Sequence, residues 1–153
     1  NEFSDHQVIL TYPNADDGGR RIIPILEGYA KQQPERVHAI PSLGQKRYLS
    51  AVKHAAVVIG NSSSGVIEVP SFNVPTVNIG VRQKGRLAAK SVLHCDSTKA
   101  AIKAAITSAL KGEYKTSGEE ITNPYGAGNA SEQAIAMLKT LNFEPSKSFY
   151  DLK

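Results

Sequence analysis

The chain of 153 residues is poor in cysteine. Its one thiol, Cys95, allows no intrachain disulfide and suits a reducing compartment. It has no long apolar run: no window approaches the ~20 residues of a membrane helix, and Asn1–His6 has no signal-peptide pattern. The expectation is a cytoplasmic protein with no membrane partner. Low-complexity tracts and internal repeats are absent. The four histidines share no metal-ligand spacing, and His94 and Cys95, adjacent on a predicted strand, point to opposite faces, so no metal or other cofactor is expected. Neither G-x-x-x-x-G-K-[ST] nor G-x-G-x-x-G occurs, which argues against an ordinary ATP or dinucleotide loop. Strong charge is missing too. Lys and Arg number 18 against 14 Asp and Glu, a net +4, and the basic residues are scattered except at Arg82–Arg86. Nucleic-acid binders concentrate charge on one face; this cluster better suits a small anion, and no nucleic-acid partner is expected.

What is present fits one α/β domain: 41% hydrophobic and 21% charged residues, with twelve Gly and eight Pro spread along the chain. Strand-length apolar runs alternate with stretches of helical period. Strands are predicted at 7–12, 37–40, 56–60, 75–79 and 92–95. Helices are predicted at 19–31, with Pro24 in its first turns, at 45–55, at 64–69 before Pro70, at 98–110 and at about 130–141. Asp96 or Ser97 is expected to cap the fourth helix, with Gly112 past its end, and Asn129 with Glu132 makes a capping-box-like start for the last. Uninterrupted Val/Ile runs suit strands buried on both faces, and the alternation predicts a Rossmann-like parallel sheet with flanking helices. Ligands of such sheets bind beyond the carboxyl ends of the strands.

The segment 57–72, VVIGNSSSGVIEVPSF, lies at that edge. A helix N-terminus offers unpaired N–H donors and about half a positive charge, and Ser62, Ser63, Ser64 and Gly65 leave room for a phosphate while adding hydroxyls. Glu68, one turn on, would repel phosphate but can accept hydrogen bonds from vicinal hydroxyls. A phosphate site beside a ribose acceptor describes a nucleotide. A serine cap and an early glutamate also stabilise any helix by ~1 kcal/mol, so spacing alone leaves both readings open. A serine nucleophile would need a G-x-S-x-G elbow and partners that the spacing does not supply. Asp16 and Asp17 could form a general-base pair but sit in a Gly-ended loop where Asp is an ordinary turn residue.

The segment 57–86, VVIGNSSSGVIEVPSFNVPTVNIGVRQKGR, closely resembles the signature of the hydrolysing UDP-N-acetylglucosamine 2-epimerases, particularly the branch that begins sialic-acid synthesis. The likeness extends to YPNADDGG at 12–19, SLGQKRYLSAVKHA at 42–55 and NPYGAGNASE at 123–132. It implies the second Rossmann-like domain of a glycosyltransferase-B-type fold, running to a natural C-terminus, with an N-terminal domain outside this chain. It implies that Ser62 and Ser63 contact the phosphates of UDP, Glu68 its ribose, and Asn14 and Arg82 the ligand, with the Leu43 backbone facing the uracil. UDP and a UDP-N-acetylhexosamine are the implied partners, with dimers or tetramers common among relatives. Most acid–base residues are implied to lie outside the chain, so it alone is expected to bind without turnover. The family's usual acid and arginine in the last motif are replaced by Ala127 and Gln133, and that loop is left out of the site. A glycosyltransferase of the same architecture and a non-catalytic UDP-sugar sensor remain as alternatives.

Overall fold

The computed structural model describes residues 2–14, 18–115 and 121–142; Asp16 and Asp17 lie outside them. Strands and helices alternate as β1 (Val8–Thr11), α1 (Gly19–Gln32), β2 (Val37–Ile40), α2 (Gly44–His54), β3 (Val58–Gly60), α3 (Ser64–Ile67), a 3₁₀ turn (Val69–Phe72), β4 (Thr76–Ile79), β5 (Val92–Cys95), α4 (Lys99–Lys111) and α5 (Ala130–Thr140). All described pairings are parallel, but they form two sheets, β1 with β2 and β3–β4–β5, rather than one. Burial on both faces holds for the central β4, where Thr76, Val77 and Asn78 are enclosed. It fails for β1 and β3: Ile9 is 51% and Ile59 47% exposed. Each of these strands borders an edge that no described strand pairs, so its side chains lack a neighbour's cover.

Two apolar clusters hold the layers together. Val52 of α2 meets Val69 and Val74 beneath β3, with Tyr48 and Phe72 alongside. On the other side Ile106 and Ala109 of α4 pack on Val77, with Phe3, Leu93 and Cys95 around them. Residues 2–6 strap the two sheets: Phe3 joins the α4 cluster, while Arg36, just before β2, donates from Nη1 to the carbonyls of Phe3 (3.3 Å) and His6 (3.0 Å).

Several element ends differ from the sequence reading. Thr98, not Asp96 or Ser97, caps α4, its Oγ1 accepting from the Ala101 N–H at 3.3 Å; Gly112 ends the helix at φ 71°. Asn129 makes no side-chain cap and instead accepts from Gln133 Nε2 at 2.9 Å. Helix α3 closes at Ile67, one turn long. Pro70 sits near the start of the 3₁₀ turn, where its missing N–H leaves no bond unmade.

Candidate functional site

The loops after β1, β2, β3 and β4 open into a cleft of about 950 Å³ at the carboxyl ends of the strands. That is within the range of small-ligand sites, and it lies where parallel α/β sheets bind ligands. Asn14, Leu43, Ser62, Glu68 and Arg82 all line it; Ser63 is exposed just outside its wall.

Each wall is set by local chemistry. Gly60 turns the chain out of β3 at φ 154°, a backbone angle that side chains with a Cβ rarely take. The chain then crosses Asn61 and Ser62 into α3, and the Ser64 N–H reaches Ser62 Oγ at 3.4 Å. Ser64 in turn donates its hydroxyl to Tyr48 of α2 at 2.8 Å. Gly65 serves packing rather than ligand access. A Cβ there would lie 2.7 Å from Thr76 Cγ2, and Thr76 Oγ1 donates to the Gly65 carbonyl at 2.7 Å, so α3 rests directly on β4.

The helix-stabilising account of this segment does not fit. Ser63 stands at the cap position but makes no side-chain cap bond, and no acid lies in the first turn. Glu68 follows the last residue of α3, where a carboxylate gains nothing from the helix dipole, and it makes no side-chain cap bond to the 3₁₀ turn either. It is half-buried, facing the cleft, and its carboxylate has no hydrogen-bond or ion-pair partner among the described residues. The dipole part of the anion argument weakens as well, since a one-turn helix sums only a few peptide dipoles. The hydroxyls and Arg82 are what remain to meet negative charge.

Arg82 is exposed on the loop after β4. Its neighbour Gln83, which sequence reasoning counted only as part of a basic cluster, is 4% exposed and donates from Nε2 to the Asn61 carbonyl at 2.8 Å. The 123–125 turn, in the last motif that was left out of the site, was also missed. Asn123 Nδ2 donates to the Ile67 carbonyl at 2.8 Å and to Ser71 Oγ at 2.7 Å, and Tyr125 donates its hydroxyl to the Leu87 carbonyl at 3.0 Å. The one available signal was Asn-Pro-Tyr itself, an amide and a phenol flanking a rigid residue.

On the opposite wall Gly44 N–H bonds Ser42 Oγ at 3.2 Å as the chain enters α2, and Leu43 between them lines the cleft. Tyr12 closes the β1 side by donating to the Glu27 carboxylate of α1, and that bond holds its phenol above the ordinary range. Among the described residues no group of His, Cys, Asp and Glu could hold a metal ion, and no helix is long and apolar enough to cross a membrane.

Comparison with known proteins places these features in a lineage. Residues 1–139 match the family model described as UDP-N-acetylglucosamine 2-epimerase. A relative from Campylobacter jejuni, named GDP/UDP-N,N'-diacetylbacillosamine 2-epimerase (hydrolyzing), is 43% identical over 86 residues, which is 56% of this chain and 22% of that one. Polysialic acid biosynthesis protein P7 from Escherichia coli is 35% identical over 150 residues, 96% of this chain and 38% of its own length. In structure the chain is similar to the UDP-GlcNAc 2-epimerase of Neisseria meningitidis crystallised with UDP-GlcNAc, with TM-score 0.61 and 22% identity over 89% of this chain and 44% of that one; this likeness shows a shared fold. The chain therefore spans less than half the length of these relatives.

Proposed function

The chain belongs to the UDP-N-acetylglucosamine 2-epimerase family, and from that premise we propose that it is the UDP-binding half of a hydrolysing enzyme that converts UDP-N-acetylglucosamine to N-acetylmannosamine and UDP for sialic-acid-type biosynthesis. The observation that carries this reading is the cleft itself. It gathers Asn14, Leu43, Ser62, Glu68 and Arg82 from four separate loops, and the Glu68 carboxylate there has no described partner.

In the proposed reaction the proton at C2 of the sugar is removed and UDP leaves C1, giving a 2-acetamidoglucal. Water then adds with inversion at C2. Negative charge grows on the departing diphosphate, so hydroxyl donors and a guanidinium fixed beside it stabilise the transition state more than the ground state. Ser62, with Ser63 at the rim, and Arg82 take that role; Arg82 can meet two phosphate oxygens at once. Glu68 accepts from the ribose hydroxyls, and the Leu43 backbone faces the uracil. Most of the acid–base groups come from an N-terminal domain outside this chain.

Calorimetric titration with UDP tests the site. Glu68→Gln and Arg82→Ala should each weaken binding by roughly tenfold, the scale of one charge-assisted hydrogen bond. Unchanged affinity in both variants would overturn the assignment. Incubated alone with UDP-N-acetylglucosamine, the chain should release no UDP, and release would show that the half-enzyme reading is wrong. A diacetylated bacillosamine nucleotide is the second reading, favoured by the name of the 43% identical relative. Competition between the two sugar nucleotides in the whole enzyme separates them.

A further inference from the structure

The two segments assigned to the anion, the 61–68 turn and the loop bearing Arg82, are separated by the 3₁₀ turn and β4, and neither is a regular element long enough to hold itself. Two cross-links join them. Gln83 spans the gap directly: buried at 4% exposure, it donates to the Asn61 carbonyl at 2.8 Å, one residue before Ser62, and its Oε1 is buried without a partner among the described residues. An unpaired buried oxygen is costly, and the side chain stays put because of its donor bond and its enclosure.

The second link comes from 56 residues further along the chain. The Ser71 N–H turns back to Glu68, so the Ile67 carbonyl at the end of α3 has no helical donor, and Asn123 Nδ2 supplies one. The same amide accepts the Tyr125 N–H on its Oδ1 at 3.0 Å, which aims the phenol at the Leu87 carbonyl, five residues past Arg82 on the same loop. One turn thus grips the far end of both segments while Gln83 grips their near ends.

We propose that Gln83 and the Asn123–Tyr125 turn are positioning residues, which set the Arg82 guanidinium at a fixed distance from the Ser62–Glu68 turn so that one diphosphate meets both. The proposal deepens the UDP reading and rests on it. Gln83, Asn123 and Tyr125 do not line the cleft; each acts through the segments it joins.

The test is calorimetry on the chain with UDP, and with inorganic pyrophosphate as the bare-anion probe, using Gln83→Met, Asn123→Asp and Tyr125→Phe. Asn123→Asp keeps the acceptor for the Tyr125 N–H and loses the donor to Ile67. Tyr125→Phe loses only the hydroxyl and serves if a buried variant fails to fold. Each should bind UDP roughly three- to tenfold more weakly. In an Arg82→Ala background Gln83→Met should cost less than twofold further, because nothing is left to align. Full additivity there, or undiminished affinity in all three variants, overturns the proposal. Amide exchange on the ligand-free chain separates the two readings: in Gln83→Met and Asn123→Asp it should quicken in both 61–68 and 81–87. If the wild type binds neither probe, the UDP reading falls, and the cross-linking stands or falls on exchange alone.

Discussion

At the scale of single residues, the structure separates side chains whose role follows from their type from those whose role follows from a distant neighbour. Glu68 belongs to the first group: a lone acid among small polar residues was visible in the sequence, and it lines the cleft without a side-chain partner among the described residues. Gln83 and Asn123 belong to the second, because their partners are backbone carbonyls 22 and 56 positions away, and no local pattern encodes that. Cys95 shows a third case. Adjacency to His94 predicted opposite faces, and the histidine is exposed while the thiol packs in the α4 cluster. Burial, then the Asp96 charge, pushes that thiol above its ordinary range. A raised folded value means that the native state holds the proton more tightly. Its stabilisation is therefore complete below the unfolded pKa of ~8.5 and is lost as pH rises through the folded value. Urea midpoints at pH 7, 8.5 and 10 should fall more steeply for the wild type than for Cys95→Ala, and parallel curves would count against this.

At the scale of elements, strands and long helices were legible because hydrophobic period marks them; 37–40 and 92–95 were read with the bounds observed. Ends were less so, since caps depend on one hydrogen bond: Thr98 rather than its two predecessors accepts at the start of α4. Helix α3 was overextended because a run of apolar residues before Pro70 suits a 3₁₀ turn as well as an α-helix. What holds so short a helix is contact with β4 at Gly65, which periodicity cannot reveal. Gly65→Ala puts a methyl into Thr76 Cγ2, a stiff β-branched group, and should destabilise the chain by about 1–3 kcal/mol. Thr76→Ser in the same background removes the obstructing methyl and should recover part of that loss. A Gly65→Ala chain with an unchanged urea midpoint would show that α3 shifts freely on β4.

At the scale of the whole molecule, the parallel α/β architecture was legible and the division into two sheets was not, because an alternating pattern of strands and helices says nothing about which strand edges meet. The division has a bearing on melting. β1 and β2 form one sheet with α1 against it, α2 packs with the other, and the cleft takes Asn14 from the first side and Ser62, Glu68 and Arg82 from the second. Like the 2–6 strap, a ligand in the cleft would be held by both halves in common. Scanning calorimetry should show a broad or split endotherm for the free chain that sharpens and moves up with UDP, whereas a sharp single peak without nucleotide would mean that the halves already unfold together. A nucleotide bound across such a joint acts as a cofactor of cooperativity. It would tie the two halves into one folding unit, so the chain's resistance to unfolding would rise and fall with the supply of that ligand.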